Sequence, residues 1–347
     1  MEENTLEFNT VLDRLIDISQ AFPPSMWDQF SDLTRAEVNL LSQKWDLVDV
    51  QRKVALIQDL ASLMDYDFQV SFNAFAKFCL NDDEPLVRSN AIRLLFEYDN
   101  NDMIDPMLDI LENDADEEVQ ATAAIMLGNY VYKGEMDELS SKDKTRVEDA
   151  LLRMIDESVA VDLQRRALEA ISFSSREEVS PLILAAYEKV EKDWKATALF
   201  SMGRSANQQW APYVLRNLDS DEPDLLFEAI QAAGEMYLED ALPKIQEIAE
   251  KGDELDQLVR MAIARSLENI GGVESISILN QMLEWAEDDE EIEVIEQAIE
   301  FASFTNAVKM PSMFNFEMDE IDDALDEFEH DHDHNHIHDQ DDLDEDE

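Results

Sequence analysis

The stretch DDEPLVRSNAIRLL (residues 82–95) opens on a short acidic turn and then sets Val87, Ala91 and Leu95 four residues apart. Apolar residues at that interval share one face of a helix. The acidic residues ahead of them suit the free N–H groups of a helix start, and Pro85 suits its first turn. The arrangement returns in DADEEVQATAAIMLG (114–128) with Val119, Ala123 and Leu127. Further copies fall at Leu163, Ala167 and Ile171, at Trp194, Ala198 and Met202, at Leu225, Ala229 and Ala233, and at Val259, Ile263 and Leu267. A weaker last copy uses Val294, Ala298 and Ala302. Successive first positions lie 32, 44, 31, 31, 34 and 35 residues apart. That is the period of a helical repeat.

Between these helices lie others, such as MIDPMLDILE, VSPLILAAYEK and ALPKIQEIAE. Each unit is therefore expected to be two antiparallel helices and a turn. Neither helix can bury its apolar face alone, so neighbouring units must stack. Small residues at the middle position let adjacent helices approach closely. The expected fold class is all-α, an α-solenoid of stacked helix pairs. The 44-residue step contains YKGEMDELSSKDKTR (132–146), which reads as an insertion with a turn and the start of a longer helix.

The segments DEPLVRSNAIRLL, DEEVQATAAIMLG and QLVRMAIARSLENIGG resemble the HEAT-repeat family in its bacterial form with short two-helix units. The resemblance covers roughly residues 45–308 and implies a right-handed solenoid. Family members include import and phosphatase scaffolds and bilin lyases, so it implies a protein-binding frame or, less directly, a bilin-lyase-like enzyme. The usual basic residue after the first apolar position is kept as Arg88, Lys195 and Arg260 but replaced by Gln120, Gln164 and Leu226. The retained ones are expected to pair with acidic side chains inside the array.

Four regions follow: an N-terminal helical cap (1–45), a repeat array (46–308), an acidic amphipathic segment (309–329) and a disordered His/Asp-rich tail (330–347). In the cap, Pro23 and Pro24 break the helical pattern, and Phe22, Trp27 and Phe30 are expected to cover the open end of the first repeat. In the amphipathic segment, Phe314, Met318, Ile321, Leu325 and Phe328 share one helical face. A lone helix of that length is marginal in water. The stripe therefore suits either a cap on the last repeat or a tethered helix that enters a partner's groove. In the tail, His330, His332, His334, His336 and His338 alternate with Asp331, Asp333, Asn335 and Ile337. Imidazole and carboxylate groups so mixed could hold zinc or nickel, although no second-shell support is evident and no cofactor is required for the fold.

Charge bounds the function. The formal net charge is -56, and residues 310–347 contain 17 of the 82 acidic residues with no Lys or Arg. The remaining 65 face 26 basic residues, so the body itself carries near -39. Such a field repels nucleic acid and anionic membranes and attracts basic proteins. Adaptation to a salt-rich cell is a separate explanation of the same acidity. The N-terminus lacks the basic flank of a signal peptide, no run is long enough to cross a bilayer, and the single Cys79 fits a reducing cytoplasm. No Gly-rich phosphate loop or HExxH motif occurs, and no His lies outside the tail. These features point to a non-enzymatic scaffold or adaptor for a basic or partly apolar protein surface. Metal buffering through the tail and a bilin-lyase-like activity are the alternatives.

Overall fold

Helix starts in this chain are set by acidic and hydroxyl side chains in the turns. Asp116 accepts hydrogen bonds from the amides of Glu118 and Val119 at 3.0 and 3.2 Å, Asp256 accepts from Leu258 at 2.9 Å, and Asp288 accepts from Glu290 and Glu291 at 3.1 Å. Thr34 and Glu37 form a reciprocal capping box. A computed structural model describes residues 2–64, 69–98, 100–156 and 159–309, and the regular elements among them are all helical. The chain divides into two compact units, Met1–Ala241 and one beginning at Leu242.

The first unit begins with α1 (Glu2–Ile16), α2 (Arg35–Lys44) and α3 (Val50–Met64). Five pairs of helices continue from it: α4 (Asn73–Cys79), α5 (Pro85–Leu94), α6 (Ile104–Asn113), α7 (Glu117–Glu135), α8 (Ser141–Arg153), α9 (Val161–Ile171), α10 (Val179–Tyr187), α11 (Lys192–Ser205), α12 (Ala211–Asn217) and α13 (Pro223–Glu235) complete it in antiparallel order. Helices α3, α5, α7, α9, α11 and α13 touch in succession and form one row. Helices α4, α6, α8, α10 and α12 each pack on the next member of that row. The all-α repeat architecture expected from the periodicity is therefore present. Its first apolar positions, Val87, Val119, Leu163, Trp194 and Leu225, are all buried, as are the two that follow each of them.

The row is close-packed through small residues. Gly203 on α11 lies so near α13 that an added Cβ would stand 2.9 Å from the Ala232 Cα and also strike a Glu235 carboxylate oxygen. Gly134 on α7 would instead meet the flexible stem of Lys144, 2.8 Å from its Cγ. Gly203→Ala is expected to cost about 1–2 kcal/mol, since backbone cannot yield and the gain in helix propensity offsets only part of the strain. Gly134→Ala is expected to cost less than Gly203→Ala, since Lys144 can change rotamer where backbone cannot move. Urea unfolding of the two variants side by side checks the contrast.

At the N-terminal end, Phe30 is fully buried, with ring contacts to Phe8, Phe22 and Phe75 at 5.5, 6.2 and 5.1 Å. Phe22 and Trp27 are half-buried beside it. The 132–146 insertion is absorbed mostly by helix: α7 extends to Glu135 and α8 starts at Ser141.

In the second unit, α14 (Leu242–Ala249), α15 (Gln257–Ile270), α16 (Gly272–Leu283) and α17 (Asp289–Lys309) pack as neighbours. Gly271 and Gly272, with φ of 66° and 88°, make the tight turn between α15 and α16 that an L side chain would strain. The last repeat needs a correction. Ile295, not Val294, is the fully buried first apolar position of α17. The cause is Glu291, 2% exposed, which Arg260 grips through both carboxylate oxygens at 2.7 and 2.8 Å. That grip sets the rotation of α17.

Pairs of this kind recur between successive repeats. Arg88 on α5 binds Asp114 ahead of α7 at 2.7 and 2.8 Å, and Lys53 on α3 binds Asp82 ahead of α5 at 2.8 Å. Arg88 and Arg260 thus act as internal partners, while Lys195 lies over the Tyr187 ring at 5.3 Å.

Candidate functional site

The C-terminal turns of α5, α7, α9 and α11 come together along one edge of the row. Residues ten places after each first apolar position fall there in order: Glu97, Asn129, Phe173 and Arg204. With Phe96, Tyr98, Met126, Tyr130, Tyr132, Lys133 and Glu138 they line a groove of about 390 Å³. Tyr132 and Phe173 meet edge to face at 5.2 Å. Asn129 donates to the Phe96 carbonyl at 3.3 Å, and the Tyr130 hydroxyl donates to the Asn100 carbonyl at 2.8 Å. Burial, with Asp102 and Tyr98 nearby, pushes the Tyr130 phenol up to about 12, so it remains a neutral donor.

Several of the chain's scarce cations gather on these rings. Lys77 lies 4.0 Å from the Tyr98 centroid, Lys133 lies 5.6 Å from Tyr130, and Arg204 lies 4.8 Å from Phe173 and 4.5 Å from Phe200. Lys77 is also bonded to the Tyr98 hydroxyl and Asp102 at 2.7 and 2.8 Å. Burial alone would lower its ammonium pKa; these two partners raise it instead. Arg204 has no such support: its guanidinium donates no hydrogen bond to any described residue, and burial lowers its pKa despite Glu235, Glu169 and Glu228.

Behind Arg204 lies a polar layer spanning α9, α11 and α13. Glu169 is buried and satisfied, accepting from Thr197 at 2.8 Å and from Arg166 at 2.7 Å. Glu228 is different. Its Oε2 is enclosed without a hydrogen-bond partner among the described residues, and burial followed by the charges of Glu169 and Glu235 raises its carboxyl to about 7. Burial also raises Glu235, partly opposed by Arg204. A carboxyl that titrates near neutrality is a possible proton carrier, yet no described histidine accompanies it. Cys79 is fully buried; burial, then Asp82, drives its thiol well above the usual range, which makes it a poor nucleophile. Among the described residues no group of three or more His, Cys, Asp or Glu could hold a metal ion. No helix among them is long and apolar enough to cross a membrane.

The stripe Phe314, Met318, Ile321, Leu325 and Phe328 and the histidines His330, His332, His334, His336 and His338 lie outside the described residues. The groove residues were not singled out from the sequence, apart from the insertion that supplies Tyr132, Lys133 and Glu138. The signal available was the ten-residue offset from each repeat's first apolar position.

Comparison with known proteins places these repeats. Residues 72–172 match the HEAT-repeat family. No curated protein matches the chain. Among solved structures, human deoxyhypusine hydroxylase in complex with glycerol is 14% identical, covering 87% of this chain and 98% of that one, with a TM-score of 0.34. The Escherichia coli protein YibA is 15% identical over 81% of this chain and 98% of its own, with a TM-score of 0.41. An engineered protein is 17% identical over 60% of this chain and 98% of its own, with a TM-score of 0.35. Residues 72–172 thus carry HEAT repeats, and the buried apolar register and helical row continue on either side of them.

Proposed function

We propose that this protein is a non-catalytic scaffold or adaptor that engages a basic or partly apolar surface of another protein. The observation that carries the reading is an open, aromatic-lined groove on a repeat row within a chain of net charge -56. Long-range attraction would speed encounter with a basic partner, and the apolar groove would supply contact area. A cytoplasmic setting is in keeping with a lone, buried cysteine. No described histidine accompanies the groove's Lys, Tyr and carboxylate groups, and we take the groove as a binding surface in preference to a bilin-lyase-like site. Affinity capture from native lysate tests this: partners should be retained at low salt and released progressively as ionic strength rises. Finding no saturable partner at any salt concentration would defeat it.

A second reading, metal buffering or delivery, is favoured by one feature, the alternate spacing of His330, His332, His334, His336 and His338 within an acidic tail. The full chain is expected to take up zinc or nickel that a chain ending at Glu329 does not, as read by isothermal titration. Equal uptake by both would end that idea.

A further inference from the structure

We propose that the groove at the C-terminal ends of α5, α7, α9 and α11 is the docking site for a basic peptide segment carrying one large apolar side chain. The assignment rests on the protein-binding reading and adds the place and the chemistry of the contact. Three observations converge on this occupant.

The first is apolar surface left open. Tyr132 is 48% exposed on the groove wall, and Met136 is 54% exposed one turn further along. Both come from the extension of α7 that distinguishes this repeat, and burying such side chains against a partner is favourable.

The second is charge. Glu97 and Glu138 are exposed on the lining, and the C-terminal turns of α5, α7 and α11 present the negative ends of their dipoles there. The chain's own Lys77, Lys133 and Arg204 have already been drawn over the rings. Lys or Arg residues flanking an apolar anchor would meet Glu97 and Glu138, and the chain's net charge of -56 disfavours the approach of an acidic peptide.

The third is Arg204, which lines the groove with no hydrogen-bond acceptor among the described residues. A half-buried guanidinium calls for acceptors. Glu169, Glu228 and Glu235 already oppose its charge, so a further carboxylate would add repulsion. A neutral main-chain carbonyl of a bound peptide satisfies the donors without that penalty.

Selection of a phage-displayed library of random dodecapeptides on the full chain tests the assignment. Enriched peptides should place Lys or Arg around Leu, Phe or Trp. As labelled synthetic peptides, they should bind about tenfold or more weakly to Tyr132→Ala and to Glu97→Lys/Glu138→Lys, as truncating an aromatic anchor or reversing a facing charge does. All three positions are exposed, and thermal melts of the variants confirm that they fold. No enrichment, enrichment of acidic peptides, or unchanged affinity in both variants would overturn the groove assignment. Capture of cellular partners by the same variants separates the two levels: partners held as tightly as by the parent leave the scaffold reading standing and refute only the groove.

Discussion

Lys53→Met is expected to destabilise the first unit by about 3–5 kcal/mol, the usual cost of leaving one member of a buried ion pair alone. Lys53 and Asp82 are both nearly enclosed, and Asp82 also accepts from the Trp45 indole at 2.5 Å and from the Glu84 amide at 2.8 Å. Burial alone would raise the Asp82 carboxyl; the bonds from Lys53, Glu84 and Trp45 outweigh it and hold the group below its ordinary value. Its contribution is therefore present above the unfolded carboxylate range and is lost as pH falls through the lower, folded value. Adding Asp82→Asn to Lys53→Met should recover most of the loss, because a neutral amide still accepts from Trp45 or Glu84. Urea unfolding of both single variants and the double variant closes the cycle. A Lys53→Met protein as stable as the parent would show that the pair is not sequestered.

Glu228→Gln is expected to act in the opposite direction. The Glu228 carboxyl is raised from 4.5 to about 7 in the folded protein, by burial first and then by Glu169 and Glu235, with Arg166 opposing and Asp224 adding to the rise. Between those values the folded chain keeps a proton that the unfolded chain releases. Stability from this group is complete below pH 4.5, declines through the window, and above about 7 the whole penalty of an ionised, half-buried carboxylate remains. Glutamine does not titrate. At pH 8 the variant should exceed the parent by up to about 3 kcal/mol, and near pH 4 the two should converge. Unfolding midpoints measured across that range give the answer as a difference between two proteins, in which titrations of groups remote from Glu228 cancel. A difference that does not change with pH would refute the assignment.

The fold was legible because its evidence is local. Val87, Ala91 and Leu95 sit on one turn-spaced face, and the same register recurs through Val259, Ile263 and Leu267, all of them buried. Val294 was misplaced by one residue, because nothing local reports that Arg260, 31 residues earlier, would draw Glu291 into the interior. The groove was less accessible to sequence reading. Phe96, Phe173 and Arg204 lie in different repeats and become neighbours only when α5, α7, α9 and α11 stand side by side. The raised Glu228 has the same origin, since Glu169 and Glu235 reach it from separate turns of α9 and α13. Residues 310–347 remain a matter of composition alone.

The cation-to-turn pairs carry a consequence for how such a chain can change length. Lys53 meets Asp82, and Arg88 meets Asp114, which stands 32 positions after Asp82, the same step that separates Val87 from Val119. Splicing out that one period would present Lys53 with Asp114 in place of Asp82, a like-for-like exchange. The hairpin between them carries half of each of two matching couplings, so evolution could remove or duplicate that one module without orphaning a charge.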